Sequence, residues 1–229
     1  ITFRNDTFFM EIRKKISDIL KEIGNNVTLV AVSKTKPDTL IKDAYDFGQR
    51  DFGENKVQDL KAKAERLPKD IRWHMIGRIQ TNKIKDFIGF VHLIHGVDRT
   101  KVLTIIDKEA RKAGRIVDIL IQVHISQEET KAGFSIPELM DLVKNNNLNN
   151  YENVRVRGLM GMASFTDNEN QITHEFSILK ELFDQLKRKS NSSNFDILST
   201  GMSGDFKIAI KEGSNMIRLG TALFGERNY

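Results

Sequence analysis

Residues Thr28-Leu-Val-Ala-Val-Ser-Lys-Thr-Lys-Pro37 decide how this chain is read. Thr28 to Ser33 carries no charge and reads as a strand buried on both faces. Two lysines and a proline then mark an exit loop. Before this stretch, Phe9, Ile12, Ile16, Ile19 and Ile23 fall on one helical face and predict a leading helix. After it, similar short apolar runs begin near residues 51, 72, 90, 116, 154, 195 and 215. Helical stripes lie between them, one of Val102, Ile106, Ala110 and Ala113, another of Ile172, Phe176, Leu179, Phe183 and Leu186. Ser135-Ile-Pro-Glu138 and Thr166-Asp-Asn-Glu169 read as capping boxes. The eight runs start 18 to 41 residues apart, room for a helix and two loops each time. Alternating strands and helices imply parallel pairing. Eight short strands favour closure over an open doubly wound sheet, because a closed sheet has no edges to protect. The expected fold is α/β, a (β/α)8 TIM barrel with an extra N-terminal helix, as one domain over residues 1–229.

Composition narrows the function classes. The chain of 229 residues has no cysteine, which excludes a disulfide scaffold, thiolate metal ligands and a cysteine nucleophile. No apolar stretch approaches the roughly 18–20 residues of a membrane span. No secretory signal is visible at the start, and the expected location is the cytoplasm. Lys and Arg number 36 against 31 Asp and Glu, a net charge of +5. The basic residues are spread among acids, and the densest cluster, Lys187-Arg188-Lys189, ends a helical pattern where cations suit the dipole. Nucleic-acid binding wants a basic face and is not expected.

In such barrels the active site lies at the C-terminal ends of the strands, so the exits carry the chemistry. Lys34 is in phase with Val30 and Val32 and projects into the mouth if that face is interior. Burial there lowers an amine's pKa and readies it for Schiff-base formation with an aldehyde. The alternative is a surface lysine at a strand end. The seventh and eighth exits, Ser199-Thr-Gly-Met-Ser-Gly-Asp205 and Gly220-Thr-Ala222, combine glycine with hydroxyls. Loops after strands seven and eight often bind phosphate in barrels. Arg218, inside the apolar run Met216 to Leu219, is costly unless paired. It serves either as an ion-pair partner of a carboxylate such as Glu54 or as a donor to a ligand. Lysine, phosphate cradle and arginine around one mouth suit a phosphorylated aldehyde, and pyridoxal 5′-phosphate fits.

Six segments carry a family likeness: Val30-Ala-Val-Ser-Lys-Thr-Lys36, Phe52-Gly-Glu-Asn-Lys-Val-Gln58, Trp73 to Lys83, Gly158 to Met162, Leu198 to Asp205, and Ile217 through Arg227. In this order they resemble the YggS/PROSC family of pyridoxal phosphate homeostasis proteins, which is similar to the N-terminal barrel of alanine racemase without its second, β-rich domain. The resemblance implies pyridoxal 5′-phosphate as cofactor. It implies Lys34 as the Schiff-base lysine, Ser199, Thr200, Gly220 and Thr221 around the phosphate, Arg218 facing the pyridine nitrogen, and Asn55 and Met162 along the ring.

Two-base racemisation needs proton carriers on opposite ring faces, and only Lys34 is evident. Tyr45, Tyr151 and Tyr229 fall in a helical pattern, a loop and the terminus. The expectation is a carrier that stores or delivers the cofactor, as a monomer, with apo forms of cofactor-dependent enzymes as recipients. The alternative is a racemase-like enzyme whose second base is His74 or His95. A metal site on His92 and His95 lacks a carboxylate at a recognisable spacing. His124, Ser126, Glu128, Glu129 and Lys131 form a polar exit after the fifth strand.

Overall fold

The computed structural model describes residues 2–128, 132–144, 147–190 and 193–225, with side chains from residue 10 onward except at 147 and 149. The side chain of Phe9 and residues Glu129, Lys131, Glu226, Arg227 and Tyr229 therefore lie outside the described residues.

Eight strands form a closed barrel in chain order: β1 (Thr28–Val32), β2 (Asp51–Glu54), β3 (Arg72–Met75), β4 (Leu93–Val97), β5 (Val117–Gln122), β6 (Val154–Met160), β7 (Ile197–Ser199) and β8 (Met216–Leu219). Each pairs in parallel with the next, and β8 closes on β1 with Val30 opposite Arg218. Helix α1 (Thr2–Ile23) precedes β1. Helices α2 (Asp38–Asp46), α3 (Val57–Arg66), α4 (Thr100–Lys112), α5 (Ile136–Lys144), α6 (Glu169–Ser190), α7 (Phe206–Lys211) and α8 (Thr221–Phe224) follow in turn. A 3-10 turn at Thr81–Asp86 stands where β3 crosses to β4, and another, Asn147–Asn150, occupies the asparagine-rich loop. No helix among the described residues is long and apolar enough to cross a membrane.

Two shells of apolar side chains hold the barrel. Ile12, Ile16, Ile19 and Ile23 of α1, and all five residues of the α6 stripe, are buried in the layer between strands and helices. Each contributes about 1.5–3 kcal/mol of transfer free energy. A smaller inner cluster of Val30, Leu93, Leu120, Met160 and Met216 fills the barrel axis. Burial on both faces explains why the strands read as unbroken apolar runs. Ala113 departs from its expected stripe: it caps the C-terminus of α4 and is exposed. The capping box at Ser135 forms, with Glu138 accepting from the Ser135 N–H at 2.8 Å and Ser135 Oγ accepting from the Glu138 N–H at 3.3 Å. At α6 the cap is Asn168 rather than Thr166, its Oδ1 accepting from the Gln171 N–H at 3.2 Å. The expected box fails because the helix starts three residues later than Thr166.

Gly158 shows how tightly β6 and β7 meet. Its φ is +149°, and a Cβ there would stand 1.8 Å from the Ile197 carbonyl oxygen. The N-terminal mouth is ringed by ion pairs at the strand starts: Asp51 with Arg72, Asp118 with Arg155 and Arg157, and Asp196 with Arg157. At that end of a barrel such residues serve stability.

Candidate functional site

At the C-terminal ends of the strands lies a cavity of about 590 Å³. Lys34, Asn55, Met162, Arg218, Gly220 and Thr221 line it, together with Ser203, Gly204, Asp205, Phe165 and Thr166. Ser199 and Thr200 do not line it. Ser199 is wholly buried beneath it, and the Thr200 N–H is turned to Ser214 Oγ at 3.2 Å. The hydroxyl that does reach the cavity from this loop is Ser203. Its Oγ accepts from the Gly220 and Ala222 N–H groups at 3.4 and 3.2 Å, so it ties the exits of β7 and β8 together. The sequence signal was available, since Ser203 sits in the same Ser-Thr-Gly-Met-Ser-Gly run. In a strand of three residues, period alone does not say which hydroxyl clears the rim. Gly201 makes the turn: its φ is +86°, and a Cβ would press on Ala209 at 2.7 Å.

Lys34 leaves β1 two residues after buried Val32 and is half-buried at the cavity wall. It occupies a turn in which the Lys36 N–H donates to the Ser33 carbonyl at 3.0 Å. Thr35 adopts φ +64°, a left-handed conformation that costs a β-branched residue roughly 1–2 kcal/mol.

Arg218 is 5% exposed, and its hydrogen bonds go to neutral oxygens. Nη1 donates to Ser199 Oγ at 2.7 Å and to the Ser199 carbonyl at 2.9 Å, and Nη2 to the Gly161 carbonyl at 3.2 Å. Burial pushes its pKa down to about 10, opposed by the charge of Asp205, so it remains a cation at neutral pH. The expected partner Glu54 is elsewhere: its Oε1 accepts from Lys63 Nζ at 2.7 Å and Ser33 Oγ at 2.6 Å. Glu54 ends β2 next to Gly53, whose absent side chain would meet Val30 and Ile76, so Gly53 faces the interior and Glu54 faces α3.

Behind Arg218 runs a buried chain of polar groups. His95 Nδ1 is 3.2 Å from Ser199 Oγ, His95 Nε2 is 2.9 Å from His74 Nδ1, and His74 Nε2 is 3.0 Å from Asp51 Oδ1. One proton order satisfies every member. The Asp51 carboxylate only accepts, so His74 donates from Nε2 and accepts at Nδ1. His95 then donates from Nε2 and accepts at Nδ1 from Ser199, whose oxygen accepts from Arg218. Burial, and then the nearby positive groups, hold the His95 pKa well below the ordinary histidine value. Arg72 and His74 hold Asp51 well below the usual carboxylate range despite its burial. Neither His74 nor His95 reaches the cavity, so neither is placed as a second base there.

His92 does have a carboxylate neighbour that spacing did not reveal. Ligand atoms of Asp51, His74 and His92 lie within 4.8 Å of one another. Arg72 already donates to both Asp51 oxygens at 2.7 and 2.6 Å, and a guanidinium in that place repels a metal cation. Tyr45 donates to Asp70 and stacks under Arg50, and Tyr151 lines a different cavity. At the β5 exit, His124 Nε2 lies 2.9 Å from the Glu128 carbonyl.

An amine, a buried guanidinium and a glycine-hydroxyl rim stand around the C-terminal mouth of a (β/α)8 barrel. Comparison with known proteins narrows the class. Residues 10–228 match the family model described as alanine racemase, N-terminal domain. A curated relative from Aquifex aeolicus, named pyridoxal phosphate homeostasis protein, is 41% identical over 90% of this chain and 89% of its own length. One of the same name from Haemophilus influenzae is 38% identical over 95% and 94%. The solved structure of PipY from Synechococcus elongatus PCC7942 with PLP bound is 31% identical, with a TM-score of 0.85 over 93% of this chain and 100% of that one. The chain therefore belongs to the alanine racemase N-terminal domain family and, within it, to the pyridoxal phosphate homeostasis proteins.

Proposed function

We propose that this protein binds pyridoxal 5′-phosphate in the Lys34 cavity and holds it in store or for delivery, without turning over an amino acid. The residues fit the group. A volume of about 590 Å³ is ample for one such molecule. The bound molecule supplies an aldehyde that joins reversibly to a lysine amine. Lys34 is the amine at the wall. Ser203, Gly204, Gly220 and Thr221 would hold the phosphate, with Ser199 and Thr200 supporting the rim from beneath. Asn55 and Met162 would flank the ring, and Arg218 would donate to its nitrogen. The relative names and PipY with PLP bound support this reading.

The observation that carries the choice between carrier and enzyme is the composition of the cavity wall. Among its described residues there is no tyrosine or histidine, the residue types a racemase-like second base would use here, and the titratable side chains at the wall besides Lys34 and Arg218 are Lys36, Asp167 and Asp205. Arg218 keeps its own proton and would leave a pyridine nitrogen beside it unprotonated, which would weaken the electron withdrawal that amino-acid chemistry uses. A recipient for the stored molecule is an apo form of an enzyme that uses it.

Borohydride reduction of the cofactor-loaded protein, read by mass spectrometry, tests the binding. Label on Lys34, lost in Lys34→Ala, is the expected result, and an unchanged covalent yield in that variant refutes it. Amino-acid racemisation by the wild type well above the Lys34→Ala control refutes the non-catalytic part.

A further inference from the structure

The Glu54–Lys63 pair lies outside the cavity, yet its hydrogen bonds converge on the residue before Lys34. Lys63 is 6% exposed and Glu54 fully buried. Lys63 Nζ donates to Glu54 Oε1 at 2.7 Å and to the Ser33 carbonyl at 2.8 Å. Ser33 Oγ donates to the same carboxylate oxygen at 2.6 Å. The Ser33 N–H is held by the Gly53 carbonyl at 3.0 Å. Every polar group of Ser33 is thus fixed at the end of β1. On the far side of the turn, Lys36 Nζ donates to the carbonyls of Phe224 and Gly225, both at 3.1 Å. Between these anchors sit Lys34 and Thr35, the latter at its positive φ. A strained turn keeps its shape only when its surroundings over-determine it.

Stability does not account for the pair. A buried ion pair recovers little of its desolvation cost, and apolar residues of the same volume often stabilise as well or better. Glu54 even keeps Oε2 buried with no hydrogen-bond partner among the described residues. We propose that Glu54 and Lys63 are positioning residues for Lys34: they clamp Ser33 so that the strained turn presents the amine to the cavity. The inference rests on the cofactor reading above and extends it from Lys34 to the helix behind β1. The step served is the addition of the neutral Lys34 amine to the aldehyde carbon. A C=N bond forms, and the aldehyde oxygen leaves as water with the two amine protons.

The test uses the double variant Glu54→Gln/Lys63→Met, which removes both charges together and leaves neither stranded. Two probes separate positioning from general integrity: pyridoxal 5′-phosphate, trapped by borohydride, and pyridoxine 5′-phosphate, which has the phosphate and ring but no aldehyde. The expected result is an adduct rate lowered by about tenfold or more, because a misplacement near 1 Å costs that much. Affinity for pyridoxine 5′-phosphate stays within about twofold of wild type. An unchanged adduct rate overturns the proposal, and so does an equal loss for both probes, which shows a merely structural pair. Should the double variant not fold, Ser33→Ala carries the test, since it removes only the hydroxyl contact. A fall of about threefold in adduct rate with unchanged analogue affinity supports the clamp, and no fall overturns it. If wild type itself gives no Lys34 adduct, the cofactor reading fails and this inference falls with it.

Discussion

Replacing His95 changes how stability responds to acid, by an amount the buried chain dictates. In the folded protein His95 is completely enclosed, with Ser199 on one ring nitrogen and His74 on the other. The bond between the two imidazoles needs one nitrogen as acceptor, so the pair admits at most one added proton while it persists. In the unfolded chain each histidine takes a proton near pH 6.5. Below that point the unfolded state binds at least one proton more than the folded state, so stability falls as pH falls. The slope is about 1.4 kcal/mol per pH unit for each such proton. Relative to pH 7.5, the loss reaches about 1.4 kcal/mol at pH 5.5 and about 2 kcal/mol at pH 5.0. In His95→Asn or His95→Gln this contribution is gone, because neither side chain titrates. Urea unfolding curves at a series of pH values measure the effect for wild type and variant. The variant starts less stable at neutral pH, and its deficit shrinks by about 1.4 kcal/mol per unit below pH 6.5. Exposed histidines cancel in the difference. Parallel curves refute the reasoning, since they mean that His95 accepts a proton in place.

Other substitutions probe separate links. Gly204→Glu puts a carboxylate into the rim, where a Cβ meets nothing within 4 Å. Melting is expected to be unchanged and affinity for pyridoxal 5′-phosphate to drop at least about tenfold more than affinity for pyridoxal, while equal drops place the phosphate elsewhere. Thr35→Asn relieves the positive φ and is expected to raise unfolding stability by about 0.5–1 kcal/mol, with a loss contradicting the strain. Gly158→Ala meets the Ile197 carbonyl and is expected to cost more than about 3 kcal/mol in chemical unfolding, and a near-neutral result contradicts the close packing. Asp51→Asn removes the charge and one of the two oxygens that accept from Arg72 and His74, turning an N–H donor toward one of them, and costs about 3–5 kcal/mol at neutral pH. The Asp51 carboxyl titrates lower folded than unfolded, so its contribution is present above about pH 4 and fades as pH falls further. The deficit of the variant must therefore narrow in strong acid.

What the sequence made legible follows from where each constraint acts. The barrel could be read because the strands are buried on both faces over most of their length and every crossover is long, which writes eight apolar runs into the chain. The fourth apolar run starts near Phe90, ahead of β4 at Leu93, because Phe90 and Val91 belong to the turn before the strand and are apolar too. That Lys34, Arg218 and parts of the two late loops would line one cavity was legible because each breaks a local pattern: a charge in phase with buried valines, a charge within a strand, glycines beside hydroxyls. Ser199 and Thr200 of the seventh exit instead lie beneath it. The His95–His74–Asp51 chain breaks no pattern that a single segment can show. Its members come from three strands, separated by 21 and 23 residues, and meet only when the sheet closes. The Glu54–Lys63 clamp is hidden for a different reason. Glu54 ends β2 and Lys63 lies nine residues on in α3, where a lysine among lysines reads as a solvated helix face. Only the packing of α3 against β2 turns that side chain inward, onto the carbonyl beside the amine. Local chemistry in this barrel is thus written in the strand exits, while the groups that aim and polarise it are written in how neighbouring units pack.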